Sequence, residues 1–483
     1  MNAGSASPRT APAGAAPALP VAILGGGITG LAAAWELRSR GVDVVVLEAG
    51  ARVGGAIGTH RDGSWLHELG PNSLLENSPD VTAFVERIGL GARRLYANPS
   101  ARRRYIVRGG RLVAMPTSPL SFLTTRLFSW RAKLALLGEP WRDRGPADEE
   151  ETVAEFVLRR LGGEFLDYAV NPFVGGVYAG DPKKLSVKHA FPKLHAIEQE
   201  HGSLLRGAWK RRNASGAPKG RMVSFPEGMQ ELPRALAAAL GDSVWLHQHV
   251  RAVVRTAGGW EIEHEKFGVS QRLRCAAVVC ALPAGALARL PFEGVPAARR
   301  LRGVGEIEHP AVVSVFTGFR REDVAHPLDG FGLLVPEVAG ARVLGTLFSS
   351  TLFPGRAPDG CVGLTTFVGG VRQGAWAQLD DEEMRRVVME ELARLLGVRG
   401  APAYVHVQRW SRAIPQYALG HGRHQAAIAD VERETPGLFI GGSFRDGISV
   451  PACIAAGRRL AEAAMQKVSP LGLEPGSKGL RAR

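Results

Sequence analysis

The stretch "VAILGGGITGLAAAWELRSRGVDVVVLEAG", residues 21–50, indicates how the chain begins to fold. A short apolar strand pattern runs into Gly25-x-Gly27-x-x-Gly30, and "LAAAWELRSR" continues as a helix pattern. Such a strand–turn–helix unit points backbone N–H groups and the positive end of a helix at one spot, which suits a pyrophosphate. The stretch therefore predicts a Rossmann-like, dinucleotide-binding domain.

A second strand pattern, "VDVVVLE", ends at Glu48, 18 residues beyond Gly30. An acidic residue at about this distance accepts hydrogen bonds from the ribose hydroxyls of an adenosine. A G-x-G-x-x-G alone is often only a tight turn, but here both strands and the acid accompany it. From this unit alone the dinucleotide is either FAD or NAD.

Two further glycine-rich segments extend the pattern. "AGARVGGAIGT" carries Arg52 and the pair Gly54-Gly55, where the backbone can approach a dinucleotide closely because no Cβ intervenes. Near the end, "GLFIGGSFRDGISVPACIAAGRRLAEAA", 437–464, again reads as strand, glycine turn and helix. A helix beginning near Val450 would aim its positive end at a flavin ring, where negative charge develops on reduction. The alternative is a helix that only completes the domain.

The composition is that of a large globular protein of two or three domains. Of the 483 residues 45% are hydrophobic and 22% charged, and no stretch offers about 18 uninterrupted apolar residues. The net charge of +14 favours anionic partners: nucleic acid, acidic lipid or an acidic small molecule. The basic residues are scattered without interleaved aromatic residues, which argues against nucleic acid. Four cysteines without paired spacing indicate reduced thiols and a cytosolic setting.

The middle of the chain predicts a second, mixed domain. Strand patterns at 311–319, 341–348 and 361–370 follow one another without helices between them, which is typical of an antiparallel sheet. A long helix is expected over 380–397. The thirteen histidines show no HExxH or paired ligand spacing, so no metal site is predicted.

The segment 119–137 predicts one amphipathic helix. Its apolar residues recur at spacings of three and four, namely Leu120, Leu123, Leu127, Trp130, Leu134 and Leu137. The helix either packs inside its own domain or lies on a membrane surface with Arg126, Arg131 and Lys133 facing anionic headgroups.

Several longer motifs resemble those of the flavin amine oxidase superfamily, and within it the oxygen-dependent porphyrinogen oxidases. The resemblance runs from about residue 20 to 465. It depends on "ELGPNSLLENSP" (68–79), "NPFVGGVYAGDPKKLSVKHAFPKL" (171–194), "SFPEGMQELPRAL" (224–236) and "GLFIGGSFRDGISV" (437–450). "GVYAGDP..LS" is specific to this family, whereas the nucleotide motif is common to many flavoproteins. At Asp446 this chain departs from a position that is often small.

The resemblance implies a site for non-covalent FAD and a site for a porphyrinogen. The implied cofactor-binding residues are Gly25, Gly26, Gly27, Ile28, Thr29, Gly30, Glu48, Ala49, Arg52, Gly55, Ala56, Gly70, Pro71, Asn72, Ser73, Val250, Trp410, Ile448, Ser449 and Val450. The implied substrate-binding residues are a propionate-binding Arg104, a backbone contact at Gly176, and an apolar slot of Phe331, Leu334, Leu347 and Phe367. No catalytic acid or base is implied, because the flavin accepts a hydride from an electron-rich substrate.

The implied reaction is oxidation of protoporphyrinogen IX to protoporphyrin IX with O2 as acceptor and H2O2 as product, in haem biosynthesis. Coproporphyrinogen III, with four propionates instead of two, is the alternative substrate. A flavin amine oxidase is a further alternative, although the segment 443–457 has no aromatic residue at the usual place of an amine cage. A redox-inert flavoprotein or basic nucleic-acid binder is the alternative from a different class.

The expected architecture is α/β, with three domains of the amine-oxidase type. The FAD-binding domain is discontinuous and comprises 21–95, 226–292 and 436–466. The substrate domain comprises 96–115 and 293–435, and a helical domain that contacts membrane comprises 116–225. Flexible tails are expected at 1–20 and 467–483, and polar linkers or surface loops at 142–151 and 211–221. The protein is expected in the cytoplasm, peripheral on the inner face of the cell membrane, and a homodimer is left open.

Overall fold

A five-stranded, entirely parallel sheet joins four distant parts of the chain. The computed structural model describes residues 19–145, 149–214 and 220–468, so nearly all of both expected tails, and parts of the expected linkers at 142–151 and 211–221, lie outside the described residues. Numbered in chain order, the strands lie side by side as β10 (Val244–Trp245), β2 (Val44–Leu47), β1 (Val21–Leu24), β14 (Ala277–Cys280) and β21 (Leu438–Ile440). The two strands of the opening motif therefore pair directly, as in a Rossmann-like domain.

Sixteen α-helices surround this and the other sheets in the described residues. They are α1 (Ile28–Arg38), α2 (Pro79–Arg87), α3 (Pro119–Thr124), α4 (Trp130–Leu137), α5 (Val153–Arg160), α6 (Gly163–Phe165), α7 (Asn171–Tyr178), α8 (Val187–Ala190), α9 (Pro192–His201), α10 (Leu204–Ala214), α11 (Glu231–Leu240), α12 (Ala284–Arg289), α13 (Ser349–Leu352), α14 (Asp381–Leu396), α15 (Gly422–Glu434) and α16 (Val450–Val468). A π-helical turn, Leu166–Val170, joins α6 to α7.

Alternate residues of the parallel strands face opposite sides of the sheet. Val21 and Ile23 of β1 pack in a buried cluster with α1, α2, α11 and α16, whereas Ala22 and Leu24 pack in a second cluster with α12 and α15. Because side chains alternate along a strand and both faces are covered, the strands read as unbroken apolar runs. This explains why "VAIL" and "VVVL" carry no polar residue.

A seven-stranded sheet forms the second structural unit. Its strands lie in the order β20 (Tyr404–Trp410), β16 (Val312–Arg320), β19 (Cys361–Gly369), β18 (Gly345–Leu347), β17 (Gly330–Leu334), β7 (Arg103–Arg108) and β8 (Arg111–Ala114). All neighbours are antiparallel except β17 and β7, which are parallel. The antiparallel sheet predicted from the middle of the chain is therefore present, with a parallel pair where the distant segment 103–108 enters.

Helix α14 covers one face of this sheet. Its buried residues Met384, Val388 and Leu392 pack in the same cluster as Val313 and Leu364 of the sheet. The Asp380 side chain accepts a hydrogen bond from the Glu383 N–H at 2.8 Å, and Gly397 ends the helix in the left-handed conformation. The helix expected over 380–397 is present, and the opposite face of the sheet remains for other contacts.

Three smaller sheets complete the strands. The first contains β13 (Val269–Cys275), β12 (Gly259–Lys266), β11 (His249–Thr256) and β15 (Phe292–Glu293); the second is the hairpin of β3 (Thr59–Asp62) and β4 (Trp65–Glu68); the third contains β5 (Leu74–Glu76), β9 (Arg221–Ser224) and β6 (Leu95–Tyr96). Strand β9 pairs with strands from the first part of the chain. The helical region therefore ends before Arg221, not at 225 as expected, because backbone pairing assigns β9 to the cofactor-binding part.

The prediction of a single helix over 119–137 is wrong. The chain forms α3 and α4 instead, and the Ser129 hydroxyl begins the second by accepting from the Ala132 N–H at 3.2 Å. Between the helices Leu127 is fully buried. The Lys133 ammonium is buried too, and it donates to the Thr125 carbonyl at 2.7 Å. Lys133 therefore does not face solvent, and only part of the expected apolar face exists as one surface.

The contact of α16 with α1 predicts a sensitive position. A Cβ at Gly457 would lie 2.5 Å from the Thr29 carbonyl oxygen and 2.7 Å from the Ala32 Cβ. We expect Gly457→Val to lower the free energy of unfolding by about 1–3 kcal/mol, because two packed helices would have to separate. Thermal unfolding of the purified variant measures this. The control is Gly374→Val, where a Cβ meets nothing within 4 Å; equal loss in both variants would contradict the prediction.

Candidate functional site

The glycine turn between β1 and α1 is shaped by contacts that only glycine allows. Gly25 has a φ of +102°, and a Cβ at Gly30 would lie 2.0 Å from the Gly25 carbonyl oxygen. A Cβ at Gly27 would meet nothing within 4 Å, so open space lies in front of this residue. Helix α1 begins directly after Gly27, with no side chain capping its first N–H groups and no acid in its first turn. The turn thus presents uncapped donors to an anion.

Glu48 closes this turn from the neighbouring strand. Its carboxylate accepts hydrogen bonds from the Gly26 N–H at 2.7 Å and from the Gly50 N–H at 2.8 Å. The Glu48 carbonyl accepts from the Gln248 N–H at 2.8 Å, which brings the chain near Val250 to the same end of the sheet. Glu48 and Val250, 202 positions apart in the chain, thus lie at the edge where a parallel sheet binds ligands, outside the carboxyl ends of its strands.

The second glycine segment packs on the first. The Gly54 N–H donates to the Gly26 carbonyl at 2.8 Å, and a Cβ at Gly55 would lie 3.4 Å from the Gly27 Cα. Arg52 uses its guanidinium within this segment, donating to the carbonyls of Ile57 at 2.8 Å and Gly55 at 3.1 Å. Arg52 therefore holds the loop in shape through loop carbonyls.

A third backbone segment, Gly70–Ser73, meets the second at close range. A Cβ at Gly70 would lie 2.0 Å from the Ala56 carbonyl oxygen. The indole N–H of Trp410, at the end of β20, donates to the Leu69 carbonyl at 2.7 Å, and its ring lies near Gly70. The structure therefore brings the predicted residues Ala56, Gly70 and Trp410 together, and it joins the seven-stranded sheet to the cofactor loops at this point.

The last predicted segment, Ile448–Val450, lies at the start of α16. Helix α16 begins at Val450, as expected. Asp446, the departure from the family pattern, accepts from the Gly442 N–H at 2.9 Å and pairs with Arg459 at 2.8 Å. Its carboxylate is thereby held inside the turn. Burial raises the pKa of the Cys453 thiol in the first turn of α16 to about 11, so the thiol stays protonated at neutral pH.

Tyr417 supports the same turn and was missed from the sequence. Its hydroxyl donates to the Ser443 carbonyl at 2.5 Å and accepts from the Gly447 N–H at 2.8 Å. The imidazole of His421 stacks on the Tyr417 ring with centroids 4.3 Å apart. Burial lowers the pKa of His421 to about 4, so this support is uncharged at neutral pH. No sequence signal identifies Tyr417, because its partners lie about 30 residues away in a turn without periodicity.

These loops fit a dinucleotide with a flavin ring. The uncapped N-terminus of α1 and the open space at Gly27 suit a pyrophosphate. Glu48 directly follows the second strand, the position expected for an acid that accepts from ribose hydroxyls, and α16 begins at Val450. Among the described residues, the predicted cofactor-binding segments 25–30, 48–56 and 70–73 contact one another, and the segment 448–450 leads into α16, which packs on α1.

The face of the seven-stranded sheet opposite α14 carries most of the predicted substrate residues. Residues paired across adjacent strands share a face, and two such rows can be read directly. One runs Arg104, Gly332, Leu347, Thr365, Phe316, His406, and the next runs Ile106, Leu334, Gly345, Phe367, Ser314, Gln408. Arg104, Leu334, Leu347 and Phe367 therefore lie on one surface.

Glycines let large side chains lie flat on this face. Gly345 stands between Leu334 and Phe367, and a Cβ there would lie 3.2 Å from a Leu334 methyl carbon. The other Leu334 contact is Gly176 of α7, where a Cβ would lie 2.4 Å from the same methyl. Leu334 and Ile448 pack against one buried cluster, which links the substrate face to the flavin turn.

Arg104 lies at the edge of this face without an ion pair among the described residues. Its guanidinium carbon is 5.3 Å from the centroid of the Phe331 ring, and the side chain is exposed. Its neighbour Arg103 points to the other face and pairs with Asp329. The structure thus distinguishes Arg104 as a cation over an aromatic ring, available to an anionic ligand. Phe331 and Leu347 both pack against a small buried cluster of Ala101, Leu352 and Phe353.

Comparisons with known proteins agree with this geometry. The family model described as flavin containing amine oxidoreductase matches residues 28–465. The chain is 34% identical to protoporphyrinogen oxidase 2 of Arabidopsis thaliana, over 92% of this chain and 93% of that protein. It is 27% identical to coproporphyrinogen III oxidase of Bacillus subtilis, over 91% and 96%. A crystal structure from Exiguobacterium sp. 255-15, 24% identical, superimposes with a TM-score of 0.79 over 94% of this chain and all of that one, which shows the shared fold.

The open space at Gly27 predicts a variant that folds but does not hold the cofactor. We expect Gly27→Val to keep most of the thermal stability of the flavin-free protein, because a side chain there meets no protein atom within 4 Å and the backbone is extended. It should lose flavin, because a branched side chain would occupy the pyrophosphate position. The flavin-to-protein absorbance ratio of the purified variant measures this, with Gly374→Val as the control. A full flavin spectrum in Gly27→Val would show that the pyrophosphate position is misplaced.

Proposed function

Because the chain belongs to the flavin-containing amine oxidoreductase family, we propose that it is an FAD-dependent porphyrinogen oxidase that converts protoporphyrinogen IX to protoporphyrin IX. The observation that carries the proposal is the wide apolar face formed by Leu334, Leu347 and Phe367, with Arg104 at its edge. A flat apolar macrocycle with carboxylates at its periphery matches this arrangement. The resemblance to two relatives named protoporphyrinogen oxidase, 34% and 33% identical, supports the same substrate.

The protein binds and orients the substrate and excludes water from it. Leu334 and Phe367 present carbon to a macrocycle. Ile448, in the flavin turn, packs against the same buried cluster as Leu334. When bound, FAD supplies the hydride acceptor, and O2 reoxidises it with H2O2 as product. The N-terminus of α16 places a positive electrostatic potential at the flavin turn. Holding substrate and acceptor in contact contributes to the rate through proximity and orientation.

Neither row of the substrate face provides a general base beside the apolar residues. The ionisable side chains in the two rows are Arg104 at one end and His406 at the other, beyond Phe316. An arginine stays protonated at all relevant pH values and cannot remove a proton. An electron-rich porphyrinogen loses hydride without strong base assistance, so this composition fits the substrate and does not weaken the proposal.

Coproporphyrinogen III is the principal alternative. One relative that covers most of this chain is named for that substrate, at lower identity than the protoporphyrinogen oxidases. The two substrates differ in the number of propionates, and each additional carboxylate needs a cation or solvent. Arg104 is one unpaired arginine on the substrate face, whereas Arg372 near Gly175 already donates to Asn171. Within the two rows, Arg104 is the one cation without an ion pair among the described residues, which favours the substrate with fewer carboxylates.

Turnover of both porphyrinogens decides the substrate. The purified FAD-loaded protein is mixed in air with protoporphyrinogen IX or coproporphyrinogen III, and porphyrin fluorescence and H2O2 are followed together. We expect a higher kcat/KM for protoporphyrinogen IX. A large preference for the tetracarboxylate would overturn the substrate assignment. H2O2 formation from putrescine or amino acids, without porphyrinogen turnover, would overturn the reaction class.

We expect substitution of Arg104 to weaken substrate binding without affecting flavin binding. A guanidinium that pairs with a carboxylate in a partly dry site contributes about 1.5–3 kcal/mol through charge-assisted hydrogen bonds. We expect Arg104→Ala to raise KM by about tenfold or more with an unchanged flavin spectrum, and Arg104→Lys to recover only part, because an ammonium lacks the planar fork. Steady-state kinetics with protoporphyrinogen IX measures this.

The matched control for Arg104 is Arg102→Ala. Arg102 is also exposed, and it precedes the strand. Arg103→Ala is a weaker control, because it breaks the ion pair with Asp329. Similar small effects in Arg104→Ala and Arg102→Ala would leave the partner of the propionate unassigned.

We further propose that the region of α3 and α4 contacts the membrane surface. No helix among the described residues is both long and apolar enough to cross a bilayer. Exposed apolar side chains nevertheless cluster in this region, with 73% of Leu120, 63% of Trp130, 65% of Leu137 and 78% of Trp141 exposed. The exposed Arg126 and Arg131 lie among them. Apolar side chains beside cations favour the surface of an anionic bilayer, which we assign to the inner face of the cell membrane with the protein in the cytoplasm.

Vesicle binding tests this contact. The protein is sedimented with phosphatidylcholine vesicles with and without phosphatidylglycerol. We expect binding that requires the anionic lipid and weakens in Trp130→Ser/Leu137→Ser, but not in Val338→Ser, which removes an exposed apolar side chain elsewhere. Sedimentation velocity separates the alternative, a homodimer formed through the same surface. Dimers that dissociate in the double variant, without vesicle binding by the wild type, would overturn the membrane assignment.

A further inference from the structure

Three histidines meet where the hairpin of β3 and β4, here named the cofactor hairpin, packs on the seven-stranded sheet. His60 and His67 are directly paired across β3 and β4, and His406 lies on β20 in the row of Phe316. The ring centroids of His60 and His67 are 5.2 Å apart, those of His60 and His406 4.7 Å, and those of His67 and His406 4.5 Å. The sequence could not show this cluster, because His406 is 339 positions beyond His67.

The ring nitrogens of this cluster converge. One nitrogen from each imidazole lies within 4.8 Å of one from each of the others. The Nε2 atom of His67 has no hydrogen-bond partner, although the residue is only 3% exposed. A buried polar atom without a partner is costly and uncommon in folded proteins. This nitrogen therefore needs a partner that the protein atoms do not supply.

The electrostatics of the cluster suit a ligand that binds neutral imidazole. Burial, together with the neighbouring His406 and His60, lowers the pKa of His67 to about 3. Burial also lowers the pKa of His406. Both imidazoles are therefore neutral at physiological pH, and each has a ring nitrogen with a free lone pair that no proton occupies.

Aromatic stacking explains part of this interface but not the free nitrogen. The His67 ring stacks on Phe316 with centroids 4.7 Å apart, and Trp65 stacks on Tyr404 at 5.5 Å. A Cβ at Gly318 would lie 2.4 Å from the Trp65 ring, so the hairpin is closely seated on the sheet. Phenylalanine at position 67 would stack equally well and would leave no unpaired buried nitrogen. The imidazoles therefore indicate a role beyond packing.

We propose that His60, His67 and His406 bind one divalent transition-metal ion of the Zn2+ class. Imidazole is a preferred ligand of Zn2+, with Zn–N distances of about 2.0–2.1 Å. Nitrogens up to 4.8 Å apart reach these distances after modest rotation of the rings toward a common centre. Three imidazoles leave a fourth tetrahedral position for water. No electron or proton transfer is involved, because neutral imidazoles bind the ion directly.

The ion would fasten two elements that the cofactor site already joins. Strand β4 leads directly to Leu69 and Gly70, and β20 ends at Trp410, whose indole N–H donates to the Leu69 carbonyl. A metal ion bound by both His67 and His406 would hold β4 and β20 together, two residues before Leu69 and four residues before Trp410. The expected consequence is greater thermal stability and slower flavin release, with little change in the hydride transfer itself.

Metal binding is tested on untagged, FAD-loaded protein that has been treated with a chelator and then freed of it. ZnCl2 is added in a calorimetric titration, and bound zinc is counted by elemental analysis after desalting. We expect one Zn2+ per chain and a higher melting temperature with Zn2+ than without. With Cu2+ as the probe, the electron paramagnetic resonance spectrum should show splitting from nitrogen ligands.

The variants are His60→Gln and His406→Gln, whose side chains are half-buried and least disturb the core. Each should weaken zinc binding by more than about tenfold, since even substitutions of groups that only support a ligand cost about 10–100-fold. Both should keep their flavin spectrum when zinc is absent. The matched control is His195→Gln on α9, which should bind zinc like the wild type. No stoichiometric zinc in the wild type, or zinc binding that persists in both variants, would overturn the proposal.

Discussion

The close approach of Gly30 to Gly25 is the constraint on which the cofactor-binding part of the fold depends. A Cβ at Gly30 would lie 2.0 Å from the Gly25 carbonyl, so only glycine lets α1 leave β1 at this angle. The same angle brings α1 against α16, where Gly457 is within contact distance of the Thr29 carbonyl. With α1 fixed, α16 packs against it, and α16 begins at Val450 in the last of the predicted cofactor-binding segments. One backbone contact thus sets the positions of two helix termini that are more than 400 residues apart.

The loops around this turn are held mainly to one another. Gly54 donates to Gly26, and Glu48 accepts from Gly26 and Gly50. Arg52 donates to carbonyls of its own loop and to the Gln230 side chain. Such contacts leave the N–H groups at the start of α1 for a ligand while fixing the surrounding backbone. The dinucleotide therefore meets a prepared site and need not order it, which lowers the entropic cost of binding.

Short-range signals predicted the parts of the fold that depend on neighbours in sequence. The strand–turn–helix unit, helix α14 with Asp380 and Gly397 at its ends, and the beginning of α16 follow from local patterns. The break between α3 and α4 did not, because burial of Leu127 overrides a regular spacing of leucines. The insertion of β7 beside β17 and the meeting of His67 with His406 depend on pairings across hundreds of residues. The support by Tyr417 depends on contacts to a turn without periodicity. The substrate residues were accessible only through family resemblance, since a leucine in a strand looks the same in a core and in a binding face.

The two faces of the seven-stranded sheet have different roles, one in the stability of the fold and the other in ligand binding. The face toward α14 is filled by buried apolar residues such as Val313 and Leu364, which lie in one continuous core with Val388 of the helix. The other face is covered at one end by the helical region through Ile106 and at the other end by the cofactor hairpin through Phe316 and His67. Between these contacts Leu347 and Phe367 remain partly exposed. Alternation along a strand makes this division possible, because a change on one face leaves the residues of the other in place. The face around Leu347 and Phe367 can therefore vary, while the core on the other side of the sheet keeps the strands in register.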